Sequence, residues 1–103
     1  MLFRSEAEPD DTPVRGNVLV SGDDATDRAA EDTVLARHAD GDVWAWCCVT
    51  VRVAWRGLSS ESHLGCCTYR DQIDFRRNSG YFDDMATECI NDIADQAEAI
   101  RRA

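Results

Sequence analysis

The sequence predicts a small α+β domain in which two helices pack on one face of a short antiparallel sheet. Three observations support this fold class. The apolar segment "GDVWAWCCVTVRVAW", from Gly41 to Trp55, alternates as a strand does. A second apolar segment follows it after a turn, as in a hairpin, and residues 80–103 repeat apolar side chains at helical spacing. The predicted order of elements is strand, helix, strand, strand, helix.

The N-terminal part is predicted to hold a tail, a strand and a helix. Residues 1–13 contain two prolines and four acids, which indicates a mobile acidic tail and leaves 14–103 as a single domain. The apolar run between Gly16 and Gly22 predicts a short strand. A helix is expected from Asp24 to His38, because "SGDD" supplies N-cap residues and Asp40-Gly41 supplies a C-terminal stop.

The long strand from Gly41 to Trp55 has two different faces. Its odd positions from 43 onward are all apolar, so this face is predicted to lie in the core. Its even positions begin with two tryptophans, predicted to be core anchors, and become polar at Arg52. "GLSSES" is expected to turn the chain near Ser59-Ser60, so that His63–Tyr69 forms the partner strand.

The last helix is predicted from apolar residues at helical spacing, with Ser79 or Gly80 as its cap and acids in its first turn. Its apolar stripe should pack on the odd face of the long strand. The residues expected in this contact are Phe82, Met85, Cys89 and Ile93 from the helix and Val49, Val51 and Val53 from the strand.

Five cysteines raise the question of a metal or redox site. An odd count and an N-terminus without a signal peptide predict reduced thiols in the cytoplasm. Adjacent strand residues point to opposite faces, so neither Cys47-Cys48 nor Cys66-Cys67 can easily bind one ion. With the turn near Ser59-Ser60, the two pairs would lie roughly 15 Å apart along the hairpin, which disfavours a disulfide. His63 with Cys66 or Cys67 lacks further ligands. We therefore predict no metal and no cofactor.

Enzymatic chemistry is not predicted either. Only His38 and His63 are available to activate a thiol nucleophile, and neither belongs to a recognisable motif. Phosphate-binding glycine loops and hydrolase signatures are not present in the sequence. The sequence therefore predicts a binding protein rather than an enzyme.

Charge is the most unusual property of the sequence. Twenty acids stand against eleven arginines, there is no lysine, and the net charge is −9. Residues 1–42 hold eleven acids and four arginines, 43–79 hold three acids and five arginines, and 80–103 hold six acids and two arginines. Such a charge repels nucleic acids and anionic membranes and attracts basic surfaces. No apolar run approaches the length of a membrane span.

Several short motifs resemble a group of small proteins encoded by bacteriophages and prophages. The resembling segments are "GDVWAWCCVTV", "LGCCTY", "DF" and "GYFDDM", within roughly residues 17–95. Members of that group share a V-W-A-W strand, an L-G-[GC]-C-[ST]-Y element and a Y-[FY]-x-D-M helix start. The resemblance implies a phage-derived accessory protein that acts inside a bacterium, and it implies no particular activity. In size and acidity the chain is also similar to anti-CRISPR proteins, several of which imitate nucleic acid.

The acidic residues of the two helices are the first candidate binding site. On the last helix four acids share one face at spacings of about 4.5–6 Å along the axis, comparable with phosphates along a nucleic-acid strand. A solvated helix face is the alternative explanation of such a stripe. The expected partner is a basic surface of a nucleic-acid-handling host complex, with a CRISPR effector as the first candidate. The candidate residues are Asp84, Glu88, Asp92 and Asp95 on the last helix and Asp24, Asp27 and Glu31 on the first.

Two other interpretations remain open. The arginine-rich middle segment could bind nucleic acid directly, with Trp55 and Tyr69 for base stacking, although the net charge of −9 opposes it. Alternatively, the protein could associate with itself as a homodimer, through arginines of one copy and acidic helices of another. The arginines concerned are Arg52, Arg56, Arg70, Arg76 and Arg77.

Overall fold

A three-stranded antiparallel sheet forms the centre of the computed structural model, which describes residues 1–102. Its strands are β1 (Leu2–Pro9), β2 (Cys47–Trp55) and β3 (Leu58–Cys67), in the spatial order β1-β2-β3. The helices are α1 (Asp24–Ala39), α2 (Gln72–Asn78) and α3 (Tyr81–Arg102), and a 3₁₀ turn (Val43–Ala45) leads into β2. The predicted α+β class, with helices packed against a small antiparallel sheet, is confirmed.

The core lies between β2 and α3, as the alternation of β2 predicts. Val49, Val51 and Val53 are fully buried, and they form one cluster with three residues of α3: Met85, Cys89 and Ile93. Burying one such aliphatic side chain contributes about 1.5–3 kcal/mol to folding. The predicted contact between the last helix and the odd face of the long strand is confirmed.

The α2 helix adds an aromatic corner to this core, in a segment for which the sequence predicts no helix. Phe75 is fully buried, and three aromatic rings surround it. Its ring centroid lies 6.1 Å from that of Trp44, 5.2 Å from that of Tyr69 and 6.0 Å from that of Phe82. Tilted and edge-on pairs of this kind stabilise a core beyond their buried area.

The hairpin between β2 and β3 turns earlier than predicted. Arg56 and Gly57 both have positive φ angles, 49° and 80°, as in the two-residue turns whose twist suits a hairpin. The predicted turn near Ser59-Ser60 is therefore wrong, and both serines lie in β3. This earlier turn, together with a bulge between residues 47 and 49, shifts the register so that Cys67 lies opposite Cys47.

The first residues form a strand instead of the predicted mobile tail. Leu2–Pro9 pairs with β2 along its whole length, from Leu2 opposite Ala54 to Pro9 opposite Cys47. Beyond the strand, the carboxylate of Asp10 accepts hydrogen bonds from the backbone N–H groups of Cys66 (2.7 Å) and Thr12 (2.8 Å). These contacts make residues 2–12 part of the domain that was predicted to begin at residue 14.

The segment after β1 also differs from expectation. The run from Gly16 to Gly22 is a loop and not a strand, and Leu19 and Val20 are 40% and 83% exposed. The run pairs with none of β1, β2 and β3, so its backbone has no ladder partner and its apolar side chains have no sheet face to cover. The helix predicted from Asp24 is confirmed, with Asp23 accepting from the N–H of Ala25 as its N-cap.

The start of the predicted long strand is helical. Val43–Ala45 forms the 3₁₀ turn because Asp42 caps the N–H of Trp44, so β2 begins only at Cys47. Trp46 is 1% exposed and donates through Nε1 to the carbonyl of Thr12 at 2.7 Å, so the predicted anchoring role of the tryptophans is confirmed for this residue.

The molecule is elongated, with principal extents of 58 × 27 × 24 Å. α3 packs on β2 and β3, whereas α1 packs on the 3₁₀ turn. Among residues 1–102, no helix has both the length and the apolar character that crossing a membrane requires.

Candidate functional site

One flank of α3 carries an uninterrupted row of carboxylates, which we call the α3 acidic face: Asp84, Glu88, Asp92 and Asp95. All four are exposed. The row lies on the β3 side of the helix, because Gln96 donates both to Asp92 and to the carbonyl of Ser59, each at 3.0 Å. Within residues 1–102, none of the four forms a salt bridge. The α3 acidic face is therefore a row of uncompensated negative charge.

Packing keeps this row rigid. The adjacent side of the same helix places Met85, Cys89 and Ile93 in the core, each at most 6% exposed. The Sγ of Cys89 lies 3.8 Å from the carbonyl oxygen of Val51, which ties the middle of α3 to β2. The carboxylates therefore keep the helical spacing, and binding a partner need not order this backbone.

The acids of α1 do not extend this face. Glu31 is only 7% exposed, and its carboxylate accepts hydrogen bonds from the N–H of Gly16 (2.9 Å) and from Arg15 (3.0 Å), which lower its pKa. Asp27 accepts from the N–H and the hydroxyl of Ser21, at 3.0 and 2.7 Å. Both side chains therefore hold the preceding loop against α1. Of the three predicted α1 residues, only Asp24 is exposed without such a contact.

The predicted arginine cluster is spread over three parts of the fold. Arg52 lies on the outer face of the sheet, 3.5 Å from Glu61, and Arg56 lies over the ring of Trp55 at the hairpin turn. Arg76, on α2, donates to the hydroxyl of Ser5 at 2.9 Å and lies 4.8 Å from the ring of Phe82.

The other members of the direct nucleic-acid hypothesis are equally separated. Arg70 and Arg77 are exposed just before and within α2. Tyr69 packs edge-on against Phe75 in the core, 5.2 Å between ring centroids. A stacking surface made of Tyr69, Trp55 and the arginines is therefore not brought together.

The two cysteine pairs lie closer together than the predicted strand register places them. Cys47 and Cys67 are directly opposite each other, with the Sγ of Cys47 3.5 Å from the carbonyl oxygen of Cys67, so the predicted separation of roughly 15 Å is wrong. The reasons are the earlier turn and a bulge between residues 47 and 49. Burial raises the pKa of Cys47 to about 12 and that of Cys67 to about 11. All five cysteines are free thiols, and Cys66 is the exposed one.

The candidate metal ligand His63 is engaged elsewhere. Its Nδ1 lies 2.9 Å from the hydroxyl of Thr50, and its Nε2 lies 3.6 Å from Glu61. In the part of the chain that the structure describes, residues 1–102, no three His, Cys, Asp or Glu side chains are arranged to hold a metal ion.

Sequence reasoning missed a second surface, on the other flank of α3. Apolar side chains there line a groove beside β1, which we call the α3–β1 groove. The missed signal is the spacing of residues 82, 86, 90, 94 and 97, which continues the apolar stripe of α3 beyond its buried centre. The groove consists of two hollows that share Ile90, and their polar lining is Arg76, Asp83, Thr87, Glu98 and Arg101. Their apolar lining is Met1, Phe3, Trp55, Phe82, Ala86, Ile90, Ile93, Ala94 and Ala97.

The two flanks of α3 thus differ sharply in chemistry, one acidic and one apolar.

Comparison with known proteins finds no match among protein families, curated proteins or solved structures.

Proposed function

We propose that this protein is a phage or prophage accessory protein that binds a basic, nucleic-acid-handling host complex and inhibits it, with a CRISPR effector as the first candidate. The observation that carries the proposal is the α3 acidic face, four exposed carboxylates without a salt bridge on a helix fixed in the core. The motif resemblance to small phage proteins supports the biological setting.

Inhibition would follow from competition for a positively charged surface. A protein that binds nucleic acid presents arginine and lysine to the phosphates, at spacings set by the strand. The carboxylates of α3 follow one another at about 4.5–6 Å along the helix axis, so they can occupy several such side chains together. The overall charge of −9 adds long-range attraction, which accelerates association and weakens as salt rises.

The experiment is capture of the partner followed by competition. The tagged protein is incubated with host lysate at low salt, the captured complex is identified, and its binding to DNA is measured with and without the added protein. Wild type should displace DNA from the complex, and raising the salt concentration should reduce the displacement.

A fourfold reversal tests the site directly. Changing Asp84, Glu88, Asp92 and Asp95 together to Arg should abolish the competition while the far-UV circular dichroism stays native, because all four side chains are exposed. A matched control reverses four exposed acids outside the candidate sites and changes the net charge equally: Glu8, Asp11, Asp40 and Asp83.

The comparison of the two variants decides between a site and a general charge effect. If the control variant displaces as little DNA as the fourfold variant, the total charge explains the effect and the assignment of the site to α3 is wrong. If the fourfold variant still competes, the mimicry mechanism is wrong. Binding of DNA by the wild type itself at physiological salt would favour the arginine hypothesis instead.

A further inference from the structure

We propose that two copies of this chain form a two-fold symmetric dimer by antiparallel pairing of their β1 strands, with the axis through Ser5. β1 has eight residues and pairs with β2 on one side only. Within residues 1–102, no other strand occupies its second edge. An edge strand offers unpaired N–H and C=O groups to another chain, so the two sheets would join into one of six strands.

Charge sets the register of this pairing. The two copies keep their helices on one side of the joined sheet only if the axis passes through a residue of β1 and not between two residues. With the axis at Ser5, Arg4 lies opposite Glu6 of the second copy, and this ion pair occurs twice. An axis at Arg4 or at Glu6 would instead place that residue opposite its own copy, which is a like-charge pair and destabilising.

An unpaired arginine on β1 is an independent observation that points to the same partner. Arg4 lies directly opposite Arg52 of β2, a like-charge cross-strand pair, and Arg52 has its own acid, Glu61, on the far side at 3.5 Å. Among residues 1–102, Arg4 has no salt-bridge partner. Glu6 of a second copy would supply the missing carboxylate.

The apolar side of β1 favours the same arrangement. α3 covers β2 and β3, so Met1 and Phe3 remain 55% and 40% exposed at the α3–β1 groove. In the dimer, Phe3 lies beside Ala7 of the second copy, and the two grooves meet across the paired strands. The α3 acidic face lies on the other flank of the helix and stays exposed, so the dimer is independent of the proposed function.

Sedimentation equilibrium and a charge swap test the proposal. The molar mass of the wild type from sedimentation equilibrium should be twice the 11.5 kDa of one chain. Arg4→Glu and Glu6→Arg should each shift the protein to the monomer, because each places like charges opposite one another twice. The double variant Arg4→Glu/Glu6→Arg should restore the dimer, because the pair is then reversed and still complementary.

Controls keep the charge change but move it away from β1. Arg77→Glu and Asp40→Arg, both at exposed positions, should leave the dimer intact. Circular dichroism confirms that each variant is folded, and Arg4→Glu should fold well because it replaces a like-charge pair with Arg52 by an opposite one. A monomeric wild type, single variants that remain dimeric, or a folded double variant that stays monomeric would each overturn the proposal.

Discussion

Replacing Ile93 by Ala should remove a large share of the stability of this domain. Ile93 is 1% exposed and lies at the centre of the contact between α3 and β2. The substitution deletes three carbon groups, each worth about 0.8 kcal/mol of transfer free energy, or about 2.4 kcal/mol together. Incomplete collapse of the cavity raises the expected loss toward 4 kcal/mol. Because domains of this size are stable by about 5–15 kcal/mol, urea denaturation should show a clearly lower midpoint.

The same helix provides the control. Ile100 is 63% exposed, so Ile100→Ala should change the free energy of unfolding by less than about 0.5 kcal/mol. Tryptophan fluorescence and circular dichroism should report the same midpoint for each variant if unfolding is two-state. Equal effects of the two substitutions, or a loss below about 1 kcal/mol for Ile93→Ala, would refute the orientation of α3 on the sheet.

Two further predictions concern thiols and acid stability. Cys66 should react first with a maleimide or disulfide reagent at neutral pH. Cys47 and Cys67 should react only on unfolding, because they are buried and their raised pKa keeps them as thiols. Mass spectrometry after timed labelling measures the order of reaction. Hydrogen bonds from the N–H groups of Cys66 and Thr12 lower the pKa of Asp10 in the folded protein. Ionised Asp10 therefore stabilises the fold fully above the pKa that it has in the unfolded chain, and this stabilisation is lost as pH falls through its lower pKa in the folded protein. In Asp10→Asn the free energy of unfolding should therefore fall less steeply with decreasing pH below about pH 4 than in the wild type. An equally steep fall in the variant would contradict this role of Asp10.

The elements with strong periodicity could be predicted from the sequence. β2 alternates without exception from Cys47 to Val53, and α3 repeats apolar residues over several turns, so burial follows from local pattern alone. The hairpin turn could not be placed, because Arg56 adopts a positive φ that arginine rarely takes, while the serines that follow are common turn residues.

β1 was missed because its pattern is weak. Its core-facing side has only Phe3, Ser5 and Ala7 before Pro9, and the positions between them are Arg4, Glu6 and Glu8, so the composition indicates a tail. Long-range pairing with β2 provides the stability that local propensity does not.

The candidate binding site could likewise be predicted only where it depends on the pattern of a single helix. The α3 acidic face follows from helical spacing within one segment, and the structure places its four residues together. The roles of Asp27 and Glu31 depend on Ser21, Gly16 and Arg15, which belong to a loop whose conformation has no local signature. Contacts with such a loop cannot be read from the spacing of acids along a helix.

The pairing of β1 with β2 has a consequence for the order of folding. β3 follows β2 after a two-residue turn, and only α2 and short connections separate β3 from α3, so α3 can dock on a hairpin that has already formed. β1 instead meets β2 only after the whole segment that contains α1 has been enclosed, as the pairing of Leu2 with Ala54 shows. Closing that long loop costs entropy before any β1 hydrogen bond forms, so we expect β1 to join last, onto a sheet and helix that are already assembled.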